Sequence, residues 1–111
     1  SVEKTEDPPI VPDDVKVVLL VNKGSASEAE IVTGALQDAK RATIVGEQTF
    51  GKGTVQQVIE FNDGSSLKMT IAEWKTPKQR KINGVGVTPD ITITQTDQRD
   101  DQLLRALDLL R

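Results

Sequence analysis

Val15-Lys-Val-Val-Leu-Leu-Val21 is a nearly unbroken apolar, β-branched run, the pattern of a strand buried on both faces at the centre of a parallel sheet. Asn22-Lys23-Gly24-Ser25 ends the run as a turn. Beyond it Ala29, Val32, Leu36 and Ala39 recur at spacings of three and four, with Ile31 and Ala35 alongside, which predicts a helix over about Ser27 to Arg41. Gly34 in its middle costs about 1 kcal/mol relative to alanine, so close packing against another backbone is expected there. Thr43-Ile44-Val45 then reads as a second strand closed by Gly46. Strand, helix and strand with short connections make a βαβ unit, expected to be right-handed.

Upstream of this unit, Ser1 to Asp14 holds Pro8, Pro9 and Pro12 and the acids Glu3, Glu6, Asp7, Asp13 and Asp14 against Lys4 alone. Proline removes amide donors and the charges resist burial, so residues 1–14 read as an acidic, Pro-rich linker. Downstream, Val55 to Phe61 and Leu67 to Ile71 read as strands, joined by the hairpin turn chemistry of Asn62-Asp63-Gly64-Ser65. Lys75 to Lys81 carries basic residues and no acid and is expected to be a solvated surface loop. Ile91 to Ile93 is a last short strand, and Leu103, Leu104, Leu107 and Leu110 place an amphipathic helix at the end. The fold class is α/β: a βαβ unit, a β-hairpin and a C-terminal helix.

Composition narrows the chemistry. Among 111 residues there is neither His nor Cys, which excludes a Ser-His-Asp triad, a thiolate nucleophile, a zinc knuckle and a disulfide. Catalysis by this chain would have to use Ser or Thr, Lys, Asp or Glu, or backbone groups. A formal charge of −3 supplies no net basic field for nucleic acid or a membrane surface, and no apolar run approaches the ~20 residues of a membrane span.

Two segments concentrate unusual residues: Gly24-Ser25-Ala26-Ser27-Glu28-Ala29-Glu30, and the glycine-flanked lysine of Thr49-Phe50-Gly51-Lys52-Gly53. Ser27 and Glu30 fit a capping box, each satisfying an amide of the other. Ser27 also stands where a strand gives way to a helix, so free amides and the positive end of the helix dipole could stabilise an oxyanion. With no His, the base for such a hydroxyl would be a lysine kept neutral by its surroundings, and Lys52 is the candidate. Gly-Lys-Gly is equally an ordinary solvated turn. Gly46-x-x-x-x-Gly51-Lys52 begins like a phosphate-binding P-loop, but Gly53 stands where Ser or Thr should bind magnesium, and a strand rather than a helix follows. Glu28 and Glu30 diverge on the helix and Asp38 lies two turns on, so no carboxylate pair or metal cluster is expected.

Taken in order, Val21-Asn-Lys-Gly-Ser-Ala-Ser27, Glu30-Ile-Val-Thr-Gly-Ala-Leu-Gln-Asp38, Arg41-Ala-Thr-Ile-Val-Gly46, Thr49-Phe-Gly-Lys-Gly53, Val55-Gln56 and Gly86-Val-Thr-Pro-Asp90 resemble the carboxyl-terminal processing peptidases, or tail-specific proteases. The resemblance runs from about Val15 to the C-terminus and implies part of a crotonase- and ClpP-like core. It implies a serine endopeptidase that cuts proteins near unstructured C-terminal tails in an extracytoplasmic compartment such as the periplasm or plastid lumen. By position Ser27 matches the nucleophile, Lys52 the general base, Gln56 the residue that orients the lysine, and the amide of Glu28 an oxyanion donor. Ser25 is the alternative nucleophile, but in the family pattern the second serine of Gly-Ser-Ala-Ser is the reactive one. No metal or organic cofactor is implied.

Two departures stand out. The family usually has a small residue after the nucleophile, and here it is Glu28, whose carboxylate would repel a developing oxyanion. Residues 15–111 also match only the later part of the protease domain, so the tail-capturing PDZ domain and the earlier core strands are expected to lie outside this sequence, and the isolated chain is expected to be nearly inactive. Exposed sheet edges in such a fragment leave pairing into a homo-oligomer open.

Overall fold

In the computed structural model, which describes residues 4–111, the secondary elements are β1 (Val18–Val21), α1 (Glu28–Asp38), β2 (Thr43–Gly46), β3 (Thr54–Glu60), β4 (Ser66–Glu73), β5 (Ile91–Thr92) and α2 (Asp101–Leu110). The βαβ unit forms as expected, with α1 joining the parallel strands β1 and β2. Their order corrects the expectation for the first run, because the sheet is β1-β2-β5 and β2 is its centre. Ile44 and Val45 of β2 are fully buried, whereas Leu20 of β1 remains 40% exposed. A β-branched run reports that a strand suits a buried surface; it does not say which neighbours are present. Among the described residues the outer edge of β1 has none.

The core lies between α1 and this sheet, where Val21, Ala42 and Ile44 gather Val17, Leu19 and Leu36. Helix α1 stops at Asp38, short of the expected Arg41, because the chain turns left-handed at Lys40 (φ 55°). Arg41 instead reaches back along the first strand. Its guanidinium donates to the carbonyls of Val15 (2.9 Å) and Pro12 (3.0 Å), tying the acidic leader to the fold. Residues 4–14 of that leader form no strand or helix, and residues 1–3 lie outside the described range. Gly34 is a close-packing site, but its neighbour is a side chain: an added Cβ would come within 2.7 Å of Thr76 Cγ2.

The segment before β5 is stitched to β2 by Asp90. The Ile44 amide donates to its carboxylate (2.8 Å) and the Asp90 amide donates to the Ile44 carbonyl (2.8 Å). The basic loop is less solvated than expected: Arg80 pairs with Asp38, the Lys78 amide donates to the same carboxylate (2.8 Å), and Thr76 is buried. Helix α2 forms as expected and packs on β1 and β2. The face it buries is Gln102 and Ala106, while Leu103, Leu104, Leu107 and Leu110 stay 44–47% exposed.

Strands β3 and β4 form an antiparallel hairpin separate from the parallel sheet. Asp63 accepts from the amide and hydroxyl of Ser65 to shape its turn. A bulge between Val55 and Gln56 leaves Ile71 unpaired and brings Thr70 opposite Gln56.

Gly46 is where strand and turn are most tightly constrained. Its φ is 138°, and an added Cβ would lie 1.9 Å from the Val21 carbonyl oxygen. Gly46→Ala must therefore part β1 from β2. We expect a loss of about 3 kcal/mol or more, read as a fall in the denaturant midpoint; an unchanged midpoint would refute the packing argument.

Candidate active site

The turn after β1 is built by its own side chains. The Gly24 amide donates to Asn22 Oδ1 (2.8 Å), and the Asn22 amide donates to Ser25 Oγ (3.1 Å). The Ser25 hydroxyl is thus engaged within the turn. Ser27 follows with φ 58° and ψ −118°, a region that L-residues occupy only when their surroundings force it. A sharp, strained strand-to-helix turn of this kind projects a seryl side chain away from the backbone.

Glu30 is the residue that holds this conformation. Its side chain is completely buried. Oε1 accepts from the amides of Ser27 (3.0 Å) and Lys52 (2.9 Å), and Oε2 accepts from the Thr49 hydroxyl (2.6 Å) and the Gly51 amide (2.8 Å). One carboxylate therefore clamps the backbone of both the candidate nucleophile and the candidate base. Burial pushes this carboxyl up, but the Thr49 hydroxyl and the amides of Lys52, Gly51 and Ser27 outweigh it and leave it below the usual glutamate range. The capping reading of Glu30 accounted for its bond to the Ser27 amide and missed the other three.

The lysine loop is fixed from both sides. The Phe50 amide donates to the Ser25 carbonyl (2.9 Å), and the Gly84 amide donates to the Gly51 carbonyl (2.8 Å). Thr49 relays the contact onward, its Oγ1 accepting from the Val87 amide (2.6 Å). Gly53 allows the close approach that its position suggested, since an added Cβ would lie 2.6 Å from the Asn83 nitrogen. Gly46 to Lys52 then leads into strand β3, so no helix N-terminus forms to cradle phosphates.

Ser27, Glu28, Lys52 and Gln56 all line one groove of about 340 Å³ between the start of α1 and the hairpin. Lys52 is exposed there, and no hydrogen bond joins it to Ser27. Gln56 is held in place by donating to Thr70 Oγ1 (2.7 Å) and Thr54 Oγ1 (3.3 Å). Glu28 stands at the exposed edge. Its own amide, then the Ser27 hydroxyl and the Lys52 charge, hold its carboxyl below the ordinary range.

The chain as a whole has counterparts among known proteins. The family model of peptidase family S41 matches residues 2–93. The chain belongs to peptidase family S41. Similar S41 relatives include the carboxyl-terminal-processing protease of Synechocystis sp., 45% identical over 105 residues that make up 87% of this chain and 25% of that protein. The chloroplastic carboxyl-terminal-processing peptidase 2 of Arabidopsis thaliana is 48% identical over 86 residues, 78% of this chain and 17% of that protein. The S41 chain thus spans a quarter or less of the length of these relatives. Among solved structures, the photosystem II D1 C-terminal processing protease superposes with a TM-score of 0.71 at 42% identity, over 86% of this chain and 24% of that one.

Two further groove residues of the S41 chain, Trp74 and Lys68, went unnoticed in the sequence. Trp74 sits at the base of the hairpin, where its amide donates to the Gly53 carbonyl (2.6 Å). Lys68 faces the groove because of the hairpin register, which the β4 sequence alone does not encode. The wider role of Glu30 left no signal in the sequence, because its capping position already explains a glutamate there.

Proposed function

We propose that this S41 chain carries the nucleophile and the general base of a serine endopeptidase of the C-terminal-processing type. The observation that carries the reading is Ser27 itself: a strained seryl at the start of α1, in the groove that also holds Lys52 and Gln56. In its neutral form the Lys52 amine takes the Ser27 proton as the seryl oxygen attacks the scissile carbonyl. The tetrahedral intermediate puts its negative charge on the carbonyl oxygen, toward the amide of Glu28 at the helix start. Collapse breaks the C–N bond, the Lys52 ammonium returns the proton to the leaving amine, and an acyl ester remains on Ser27. Water, deprotonated by the same amine, then releases the acyl group. Gln56, fixed by its two threonines, orients the lysine.

The substrates are proteins with unstructured C-terminal tails, and the compartment is extracytoplasmic, in line with bacterial and chloroplastic relatives. The whole machine belongs to a longer protein. Alone, the 111 residues turn over little, because a lysine base works when it is shielded from water and Lys52 stands exposed in an open groove.

A second reading is a domain of the same fold that binds tails without cutting them. It is favoured by the missing Ser27–Lys52 hydrogen bond and by Glu28 beside the nucleophile. A fluorophosphonate probe with the full-length protein separates the two. The protease reading expects the label on Ser27 by mass spectrometry and its loss in Lys52→Ala. An unlabelled wild type that still binds tails leaves the silent domain.

A further inference from the structure

We infer that Lys68 seats an acidic side chain of the substrate, two to three residues away from the bond that is cut; the inference rests on the protease reading. The groove has two unlike walls. The α1 wall presents Ser27, Glu28 and Ile31, and the hairpin wall presents Lys52, Gln56, Lys68 and Trp74. Ile31 and Trp74, the latter 43% exposed, give it apolar surface on which a peptide can lie.

Its charges are patterned. Glu28 adjoins Ser27 in sequence, and its carboxylate feels the charge of Lys52. Glu28 and Lys52 thus place one charge of each sign at the nucleophile's end of the groove, without an ion pair between them. Lys68 is the groove's other cation: the proposed reaction does not use it, and it enters none of the ion pairs among the described residues. Exposed lysines are ordinarily solvated and idle, but this one lies on the groove wall and at a defined place along it.

The hairpin register gives that place. Gln56 opposes Thr70 and Val58 opposes Lys68, so Lys68 lies two residues, about 7 Å, beyond the Gln56–Thr70 crossing on the same face. We take Gln56 as the chemical end of the groove, since the protease reading has it orient Lys52. An extended peptide advances about 3.3 Å per residue, so a side chain that reaches Lys68 belongs to a residue two or three positions from the scissile bond. At the Ser27 end Glu28 repels an acidic side chain. Attraction at one end and repulsion at the other favour one register over its neighbours. The preferred ligand is thus an extended peptide with an apolar residue near the cut and a carboxylate further along.

The test uses the full-length protein carrying Ser27→Ala, so that binding is read without cleavage. The probes are short fluorescent Ala/Val/Ser peptides, acetylated and amidated at their ends to remove terminal charge, with one Glu or Gln walked along them. At a single position Glu should bind about three- to fivefold tighter than Gln, the size of an exposed ion pair, and high salt should erase the difference. Lys68→Gln should abolish the preference, and Lys68→Glu should turn it toward a peptide with Lys at that position. In the protein with Ser27 intact, the same Glu should lower KM and leave kcat unchanged. Equal binding of Glu and Gln at every position, or a preference that survives Lys68→Glu, overturns the inference. If selective binding is seen but no peptide is ever cut, it is the protease reading that falls, and Lys68 stands as the selectivity element of a binding domain.

Discussion

Alanine at either Ser27 or Lys52 of the full-length protein is expected to slow cleavage of an unstructured tail by about 10⁴-fold or more, and alanine at both to slow it no further. In the proposed dyad the two groups act on one proton. Once the amine is gone the hydroxyl is too weak a nucleophile, and once the hydroxyl is gone the amine has nothing to activate. Groups that work as a unit give losses that do not add, so the double variant is more telling than either single one. Cleavage retained at a tenth of wild type in either variant, or losses that multiply in the double, would sink the dyad. Gln56→Ala should cost far less, about tenfold, because the proposed role of Gln56, held by the threonines at 54 and 70, is to orient and not to react.

Glu30→Ala should be the most damaging substitution outside the dyad. It would strand the buried Gly51 amide and Thr49 hydroxyl and the half-buried amides of Ser27 and Lys52, at about 1–3 kcal/mol for each group left unpaired away from water. Loss of several kcal/mol should unfold the lysine loop or the whole domain, so the more informative variant is Glu30→Gln. Every partner of the carboxylate is a donor, and Thr49 already accepts from Val87. Wherever the new NH₂ group points, at least one amide that used to find an oxygen meets a hydrogen. We expect Glu30→Gln to fold, to lose about 10²-fold in kcat through misplacement of Ser27 and Lys52, and to keep its KM. A KM that rises with kcat unchanged would show that the clamp serves binding instead.

The sign of the pH dependence follows from the same clamp. The folded state holds the Glu30 carboxyl below its usual value. Its contribution is therefore fully present above the unfolded-state value and is lost as pH falls through the folded one. The acid limb of the stability curve should flatten in Glu30→Gln.

Much of this was legible in the residues. The spacing of Ala29, Val32 and Leu36 encodes a helix, the turn residues at 62–65 encode a hairpin, and the ordered motifs bring Ser27, Lys52 and Gln56 to one groove. What escaped reading was always a matter of neighbours. The run ending at Val21 could not disclose that Thr43–Gly46 lies at the centre, because hydrophobicity reports burial and not pairing. The leucines of α2 mark an apolar stripe without saying whether anything covers it, and here Ala106 and Gln102 meet the sheet. A glutamate three residues after a helix-capping serine has a complete local explanation, so nothing in the spacing points to amides more than twenty positions away. Lys68 shares a face with Gln56 because the register running from the turn pairs Val58 with Lys68 and Gln56 with Thr70, and the side-chain pattern of β4 does not say which strand residues it will oppose.

The clamp also bears on how the proposed dyad comes to be assembled. Ser27, Thr49 and Val87 are far apart in sequence, and the Glu30–Thr49–Val87 relay links them only when the loops before and after the hairpin have both closed. Closing such loops is entropically costly until the last contact is made, so the proposed dyad is assembled only when both loops have closed. A nascent or damaged copy would carry the nucleophile and the lysine on unconnected segments, chemically inert toward the unfolded chains around it. On the protease reading the buried carboxylate is in that sense a safety catch, withholding hydrolytic power from any molecule that has not finished folding.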